Sequence, residues 1–324
     1  NFAKYVKVKH CIATNNGTDA LILSLKALGV KAGDEIITVC NTFYATVGAI
    51  VACGCKPVFV DSDDRYQINI KDIKKAINKK TKVILPVHWG GASPNMKEII
   101  KLAKKKNIKV LEDACMGIGG KLYKRSPGTF GDVSAMSMHP LKSLNVMGDG
   151  GMIITNNTRL ASWMRQYRNH GMRDRDHIDF WGANIRLQPL QAVVANIELK
   201  KVDNIIKIRN SNAKFLDREL SKINEVNLPK RFKENTETFA LYMARFKNRD
   251  KLKSFLIKNG VDVKIHYPIP LHLQKAAKNL KYKLGSFPVA ESQAKDLLSL
   301  PVHQYLTKVQ LMYIAKKIKE FYNK

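Results

Sequence analysis

The sequence predicts an α/β fold, a large domain with a mostly parallel sheet flanked by helices, followed by a smaller C-terminal α+β domain. Three observations carry this expectation. Short β-branched apolar runs alternate with amphipathic stretches over the first two thirds of the chain, the rhythm of βαβ units. Gly29, Gly33, Gly54 and Asn107 stand where the helical stretches should stop. After Ser134 the rhythm changes to two strand-like runs close together, and longer amphipathic helices follow.

Taken in order, a strand leads into Asn15-Asn16-Gly17 and a first helix. Residues 35–39 read as a strand, 44–53 as a helix, 57–60 as a strand and 71–78 as a helix. Residues 82–87 read as a strand, 95–106 as a helix and 108–111 as a strand. The runs 134–138 and 152–155 are strand-like, and 158–167 is helical. A long amphipathic helix around 204–220 carries Ile205, Ile206, Ile208 and Phe215 and opens the smaller domain, which sets the boundary at 1–203 and 204–324. Beyond it, 239–246 and 261–265 read as strands, and 251–259, 289–298 and 308–322 as helices. No repeat or low-complexity linker separates the two parts, so they should pack tightly.

The 324 residues carry a net charge of +29, which invites a nucleic-acid or membrane reading. The distribution argues otherwise. Of 56 cations 43 are Lys, and runs such as 71–80, 101–106 and 316–319 alternate with apolar positions at helical spacing. That pattern is a solvated helix face. No zinc-finger spacing, aromatic RNA-binding strand or arginine-rich arm is present, so neither nucleic acid nor membrane is expected as a partner. The field would still draw anionic metabolites. No apolar run approaches the roughly 18 residues of a membrane span. Cys11, Cys40, Cys53, Cys55 and Cys115 form no paired framework and no metal-binding set, which fits a reducing compartment, with the cytoplasm as the default. The chain opens on Asn1 with no starting Met, so it reads as a fragment lacking its true N-terminus.

Several polar residues fall where an open α/β sheet binds ligands, at the carboxyl ends of its strands. Asn16-Gly17-Thr18 leads from strand to helix and could cup an anion on the free N–H groups of the first turn. An ordinary N-cap at Asn16 or Thr18 accounts for the motif equally well. Asp113 ends the apolar run from Ile108, where a carboxylate needs a cationic or hydrogen-bonding partner. Glu112 beside it reads as a structural cap or ion pair. Lys142 lies amid Leu141, Leu144, Val146 and a Gly-rich segment, unlike the other lysines. Partial desolvation lowers the pKa of a lysine and lets it form a Schiff base. An anion cup, a buried acid and an isolated lysine, in that order, are what pyridoxal 5′-phosphate requires.

The chain resembles the DegT/DnrJ/StrS-type sugar aminotransferases, pyridoxal phosphate enzymes of the aspartate aminotransferase fold type I. The matching segments run in family order: NNGTDAL (15–21), NTFYAT (41–46), PVFVD (57–61), PVHWGG (86–91), EDA (112–114), SMHPLK (137–142), GDGGMIIT (148–155), RNHG (168–171), GANIRLQPLQA (182–192), HYPIPLH (266–272) and SLPVH (299–303). The resemblance implies that Lys142 is the Schiff-base lysine and Asp113 the partner of the pyridine nitrogen. It implies that Gly17, Thr18 and Ser137 hold the phosphate, that Phe43 stacks on the ring, and that Asn184 reaches the phosphate of a neighbouring subunit in a homodimer. His88, His139, Arg186 and His272 are candidate substrate contacts. Phe43 could instead be a core aromatic, and His139 a packed residue rather than a proton relay. No metal is implied.

One departure stands out. Met116 occupies the position where the family usually has a Gln bonded to the phenolic oxygen of the cofactor, and a thioether donates nothing. A branch of the family replaces the lysine with His and deoxygenates its substrate; Lys142 argues against that branch. The implied activity is transfer of an amino group from an amino acid, by expectation L-glutamate, to a keto-sugar linked to a nucleotide, in surface-polysaccharide or amino-sugar biosynthesis. Two rivals are an aminotransferase for a smaller phosphorylated ketose and a non-enzymatic regulatory or nucleic-acid-binding protein on the same fold.

Overall fold

The apolar runs become strands β1 (His10–Thr14), β2 (Glu35–Val39), β3 (Lys56–Val60), β4 (Thr81–Leu85), β5 (Lys109–Asp113), a two-residue β6 (Lys121–Leu122), β7 (Val133–Ser137) and β8 (Gly151–Thr155) in the computed structural model, which describes residues 1–323. Lys324, the last residue of the expected second domain, lies outside them. Seven strands form one sheet in the order β1-β8-β7-β5-β4-β2-β3. Only β8 breaks the parallel pattern, running antiparallel to β1 and β7. Every residue of β2, β7 and β8 is buried, as a sheet covered on both faces requires.

The cover comes from α1 (Phe2–Val6), α2 (Gly17–Ala27), α3 (Tyr44–Ala52), α4 (Ile70–Ala76), α5 (Met96–Lys106) and α6 (Thr158–Tyr167). Helix α5 shows how local sequence sets an element. Asn95 accepts a hydrogen bond from the Glu98 N–H at 3.3 Å, and Asn107 ends the helix in the left-handed region. Met96, Ile99 and Ala103 face the core, while Lys104, Lys105 and Lys106 stand at the negative end of the dipole, in solvent. The lysine runs are therefore helix faces, as their spacing indicates.

The rest of the described chain forms α7 (Pro189–Glu198), α8 (Val202–Leu220), β9 (Val226–Asn227), β10 (Asn235–Thr236), β11 (Tyr242–Phe246), α9 (Arg249–Lys258), α10 (Pro288–Asp296), β12 (Leu297–Leu300) and α11 (Lys308–Tyr322). An antiparallel sheet β12-β11-β9 packs with α8, α9 and α11 around a second core that includes Leu216, Tyr242, Leu256, Leu298 and Ile314. Strand β10 pairs with β6 instead, which ties this part back to the first.

Three expectations fail here for physical reasons. Residues 261–265 do not form a strand, although Val261 and Val263 are buried and Asp262 and Lys264 exposed. Among the described residues their one bridge joins Lys264 to Ser299 on the free edge of β12, too short a pairing to make a strand. Residues 297 and 298 belong to β12 rather than to the preceding helix. The expected strand 239–246 starts only at Tyr242, because the Leu241 N–H bonds the Gly90 carbonyl at 3.1 Å instead.

Candidate active site

The polar residues marked in the sequence gather at the carboxyl ends of β1, β2, β4, β5 and β7, around a cavity of about 330 Å³. Asp113, the last residue of β5, is 5% exposed. Its Oδ2 accepts a hydrogen bond from Thr46 Oγ1 at 2.7 Å and its Oδ1 one from the Cys115 N–H at 3.2 Å. Among the described residues it forms no ion pair. A carboxylate so placed has one hydrogen bond to each oxygen and no cationic partner, which a protonated ring nitrogen would supply.

The start of α2 lies opposite. Asn16 caps it, accepting from the Asp19 N–H at 2.8 Å, so the ordinary N-cap is real. It does not displace the anion cup, because Gly17 and Thr18 line the cavity beside it and the first N–H groups of a helix have no acceptor within it. Gly17 is needed for closeness. A Cβ there would sit 3.0 Å from Ser137 Cβ and 3.2 Å from Cys115 Sγ. Behind the cradle, where β8 pairs with the end of β1, a Cβ at Gly151 would lie 2.1 Å from the Asn16 carbonyl oxygen. The cradle is thus one that larger residues would fill. It fits a phosphate.

Lys142, half-buried, lines the same cavity on the turn after β7, with its N–H donating to the His139 carbonyl at 2.8 Å. Ser137, His139, Phe43 and Met116 line it too. Phe43 is 38% exposed, with its ring 3.9 Å from that of Tyr44, so it is no core aromatic. His139 is exposed rather than packed. The Met116 carbonyl accepts from Thr238 Oγ1 at 2.6 Å, which holds this segment to the second part of the chain.

Other candidates lie elsewhere. His88 is wholly buried, bonded to Ser93 Oγ at 3.0 Å and to Glu112 Oε2 at 2.9 Å, and does not line the cavity. Glu112 also accepts from the N–H groups of Gly128, Phe130 and Gly131, so it is a structural anchor. His272 is buried against Phe287 and bonded to Glu291 Oε1 at 2.9 Å. Neither histidine can reach a substrate in this cavity. Asn184 and Arg186 are exposed on a loop outside it, where Arg186 Nη1 donates to Asn169 Oδ1.

Sequence reading missed Thr46, which holds Asp113, and a wall made by Trp89, His266 and Tyr267. The Trp89 and Tyr267 rings are 5.5 Å apart, and His266 Nδ1 bonds Ser299 Oγ at 2.9 Å. Burial, then Lys264 and Lys142, hold the His266 imidazole below its usual range. Burial pushes the Tyr267 phenol up to about 12. Burial, then the Asp113 carboxylate, holds the Cys115 thiol well above its usual range and so protonated. The signals for Trp89 and His266 were in PVHWGG and HYPIPLH, but nothing local says that these segments meet.

The family model for the DegT/DnrJ/EryC1/StrS aminotransferase family matches residues 1–319. The chain is 38% identical over 325 residues to a "pleiotropic regulatory protein" of Geobacillus stearothermophilus, covering 99% of this chain and 87% of that one. It is 36% identical over 314 residues to a UDP-2-acetamido-2-deoxy-3-oxo-D-glucuronate aminotransferase of Pseudomonas aeruginosa, covering 97% and 86%. The crystal structure of DesV from Streptomyces venezuelae, in complex with a ketimine intermediate, superposes with a TM-score of 0.97 at 33% identity, covering 100% of this chain and 87% of that one. A Bacillus subtilis protein with bound cofactor PMP superposes with a TM-score of 0.92 at 28% identity, covering 100% and 75%. The likeness runs through both parts of the fold and every element bordering the cavity, and the chain accordingly belongs to the DegT/DnrJ/EryC1/StrS aminotransferase family, whose members use pyridoxal phosphate.

Proposed function

We propose that this aminotransferase moves an amino group from L-glutamate to a keto-sugar carried on a nucleotide, as a cytoplasmic homodimer. The observation that carries the reading is the meeting of Lys142, Asp113 and the Gly17 cradle on one cavity. Relatives named for UDP- and dTDP-linked sugars support the substrate class, and a net charge of +29 favours an anionic nucleotide. Five free cysteines support a reducing compartment. We assign residues 1–203 to a cofactor-binding domain and 204–324 to a smaller one.

Bound pyridoxal phosphate supplies a carbonyl carbon that takes up amines and a ring that accepts electron density. The chain supplies the rest. Gly17, Thr18 and Ser137 hold the phosphate, and Asp113, fixed by Thr46, keeps a proton on the ring nitrogen. Phe43 packs on the ring. Lys142 anchors the cofactor and, when displaced, takes and returns the proton at the α-carbon of the donor. Asn184 completes the phosphate site of the other subunit.

Two measurements test this. Borohydride treatment of the yellow holoenzyme should fix the cofactor to the peptide containing Lys142, and Lys142→Ala should fix none; label elsewhere refutes the assignment. UDP-, GDP- and dTDP-linked keto-sugars should then be aminated with glutamate in preference to keto-sugar phosphates. Turnover of the phosphates alone would favour the smaller ketose, and steeply salt-dependent DNA binding with no chromophore would favour a regulatory protein.

A further inference from the structure

The PVHWGG motif carries a histidine of which the proposed function makes no use. His88, Ser93 and Glu112 are each 0% exposed. His88 Nε2 lies 2.9 Å from Glu112 Oε2, and Nδ1 lies 3.0 Å from Ser93 Oγ. A carboxylate accepts and does not donate, so the neutral ring carries its hydrogen on Nε2 and accepts from the Ser93 hydroxyl at Nδ1. Glu112 is filled in turn. Its Oε1 accepts from the Phe130 and Gly131 N–H groups at 2.7 and 2.6 Å, and its Oε2 from Gly128 at 2.9 Å as well as from the ring.

These three side chains do not line the cavity, but the residues next to His88 and Glu112 do. The His88 N–H donates to the Asp113 carbonyl at 2.9 Å, so residue 88 is tied by its ring to Glu112 and by its backbone to Asp113. Trp89 follows directly and forms part of the wall. The bond to Ser93 closes the turn between them, where Gly90 and Gly91 adopt φ of 67° and 97°. The carbonyls of those glycines accept from the N–H groups of Leu241 at 3.1 Å and Thr238 at 3.0 Å. Leu241 lines the cavity too, and Thr238 Oγ1 holds the Met116 carbonyl. One buried imidazole thus joins the end of β5 to the turn that carries the indole.

We propose that His88, held by Glu112 and Ser93, is a positioning residue for the reaction: it fixes Asp113 against the Trp89 turn and so sets how the acid meets the ring nitrogen. This rests on the reading of Asp113 as the partner of that nitrogen. Without the imidazole, Glu112 keeps its three backbone donors but loses its tie to the 88–93 turn. The turn then keeps only its main-chain bond to β5, at Asp113. Strand end and turn are free to shift apart, and a displacement of about 1 Å at an acid that must face one atom costs up to roughly 100-fold in rate.

The test uses the holoenzyme loaded with pyridoxal phosphate that carries a nitrogen-15 label in its ring. His88→Leu should shift the ring-nitrogen resonance and the Trp89 indole N–H, assigned with Trp89→Phe, while the indoles of Trp163 and Trp181 stay in place. His88→Gln supplies an amide donor towards Glu112 and should return the ring-nitrogen signal towards its wild-type position. A role confined to stability would lower the unfolding temperature and leave that signal unmoved, and this result in folded His88→Leu overturns the proposal. Should His88→Leu not fold, Ser93→Ala removes one hydrogen bond and no charge; it should move the ring nitrogen the same way by less, and no movement overturns the proposal. Long-range correlations of the wild-type imidazole should place the hydrogen on Nε2, and a ring with hydrogen on Nδ1 alone overturns it as well. Asp113→Asn separates the two readings. A ring nitrogen unmoved by Asp113→Asn refutes the role of Asp113 itself, whereas one moved by Asp113→Asn and not by His88→Leu refutes only the role of His88.

Discussion

At the scale of single residues, the site depends on a carboxylate whose two oxygens are held differently. Thr46 Oγ1 and the Cys115 N–H orient Asp113 without neutralising it. Replacing Asp113 by Asn keeps the shape and removes the charge that, in the proposed function, stabilises a protonated ring nitrogen. Asp113→Asn should lower the half-reaction rate with glutamate by roughly 30- to 1000-fold, followed through cofactor absorbance, with folding preserved. Thr46→Val removes one hydrogen bond to the carboxylate but leaves its charge, and should cost roughly 10- to 100-fold. A near-normal rate for Asp113→Asn would show that another group holds the nitrogen. Asp113 and Lys142 were legible because a buried acid and an isolated lysine are out of place in their surroundings. Thr46 was not, since a threonine early in a helix announces nothing until the sheet brings β5 beside it.

At the scale of elements, the cradle depends on how closely α2 approaches β7. Gly17→Ala places a methyl 3.0 Å from Ser137 Cβ and 3.2 Å from Cys115 Sγ, so the helix start or the strand end must move. The expected result is a destabilisation of about 1–3 kcal/mol by overpacking, with weaker cofactor binding, read by denaturant titration and cofactor titration. Unchanged affinity would mean that the cradle is looser than its geometry. The Asn16-Gly17-Thr18 motif was readable as a helix start, and the structure shows that cap and cup coexist. Helix α7 has no buried residue, with Leu190, Val193 and Ile197 exposed. It meets its own chain through Ala195, packed against the core around Val202, and through Gln191 and Asn196, so its sequence carries little core-facing signal.

At the scale of the whole molecule, two predictions follow from surface and from burial. Trp181 is 87% exposed, Met147 80%, Leu141 79% and Leu190 76%. Apolar groups so exposed, flanking the Lys142 turn and α7, call for a covering partner, and the proposed homodimer supplies one. Sedimentation should show a dimer, and Asn184→Ala should weaken cofactor binding without monomerising the protein. A fully active monomer would refute both. The imidazoles of His266, His272 and His303 are each held below their usual range, with burial the largest cause. The unfolded chain takes up these protons near pH 6.5 while the folded chain resists. Their contribution to stability is therefore complete above that pH and lost as pH falls below it. The unfolding temperature should drop between about pH 7.5 and about pH 5.5; a flat profile would show that these rings are more accessible than the fold implies.

The sequence by itself determined the α/β class, the ends of most helices and the solvated lysine faces, and it marked Lys142, Asp113 and Gly17, which meet on one cavity. Those features are local: periodicity, capping residues and turn chemistry act within a few residues. Tertiary structure decided the rest. Whether residues 261–265 pair as a strand depended on how far they run beside the outer edge of β12, and they touch it in a single bridge from Lys264 to Ser299. Whether His88 and His272 met substrate depended on buried carboxylates far along the chain, Glu112 and Glu291, which bind them into the core. The wall of Trp89, His266 and Tyr267 joins positions more than 170 residues apart in sequence. No local pattern encodes such a meeting, because it is set by the packing of one complete surface on another.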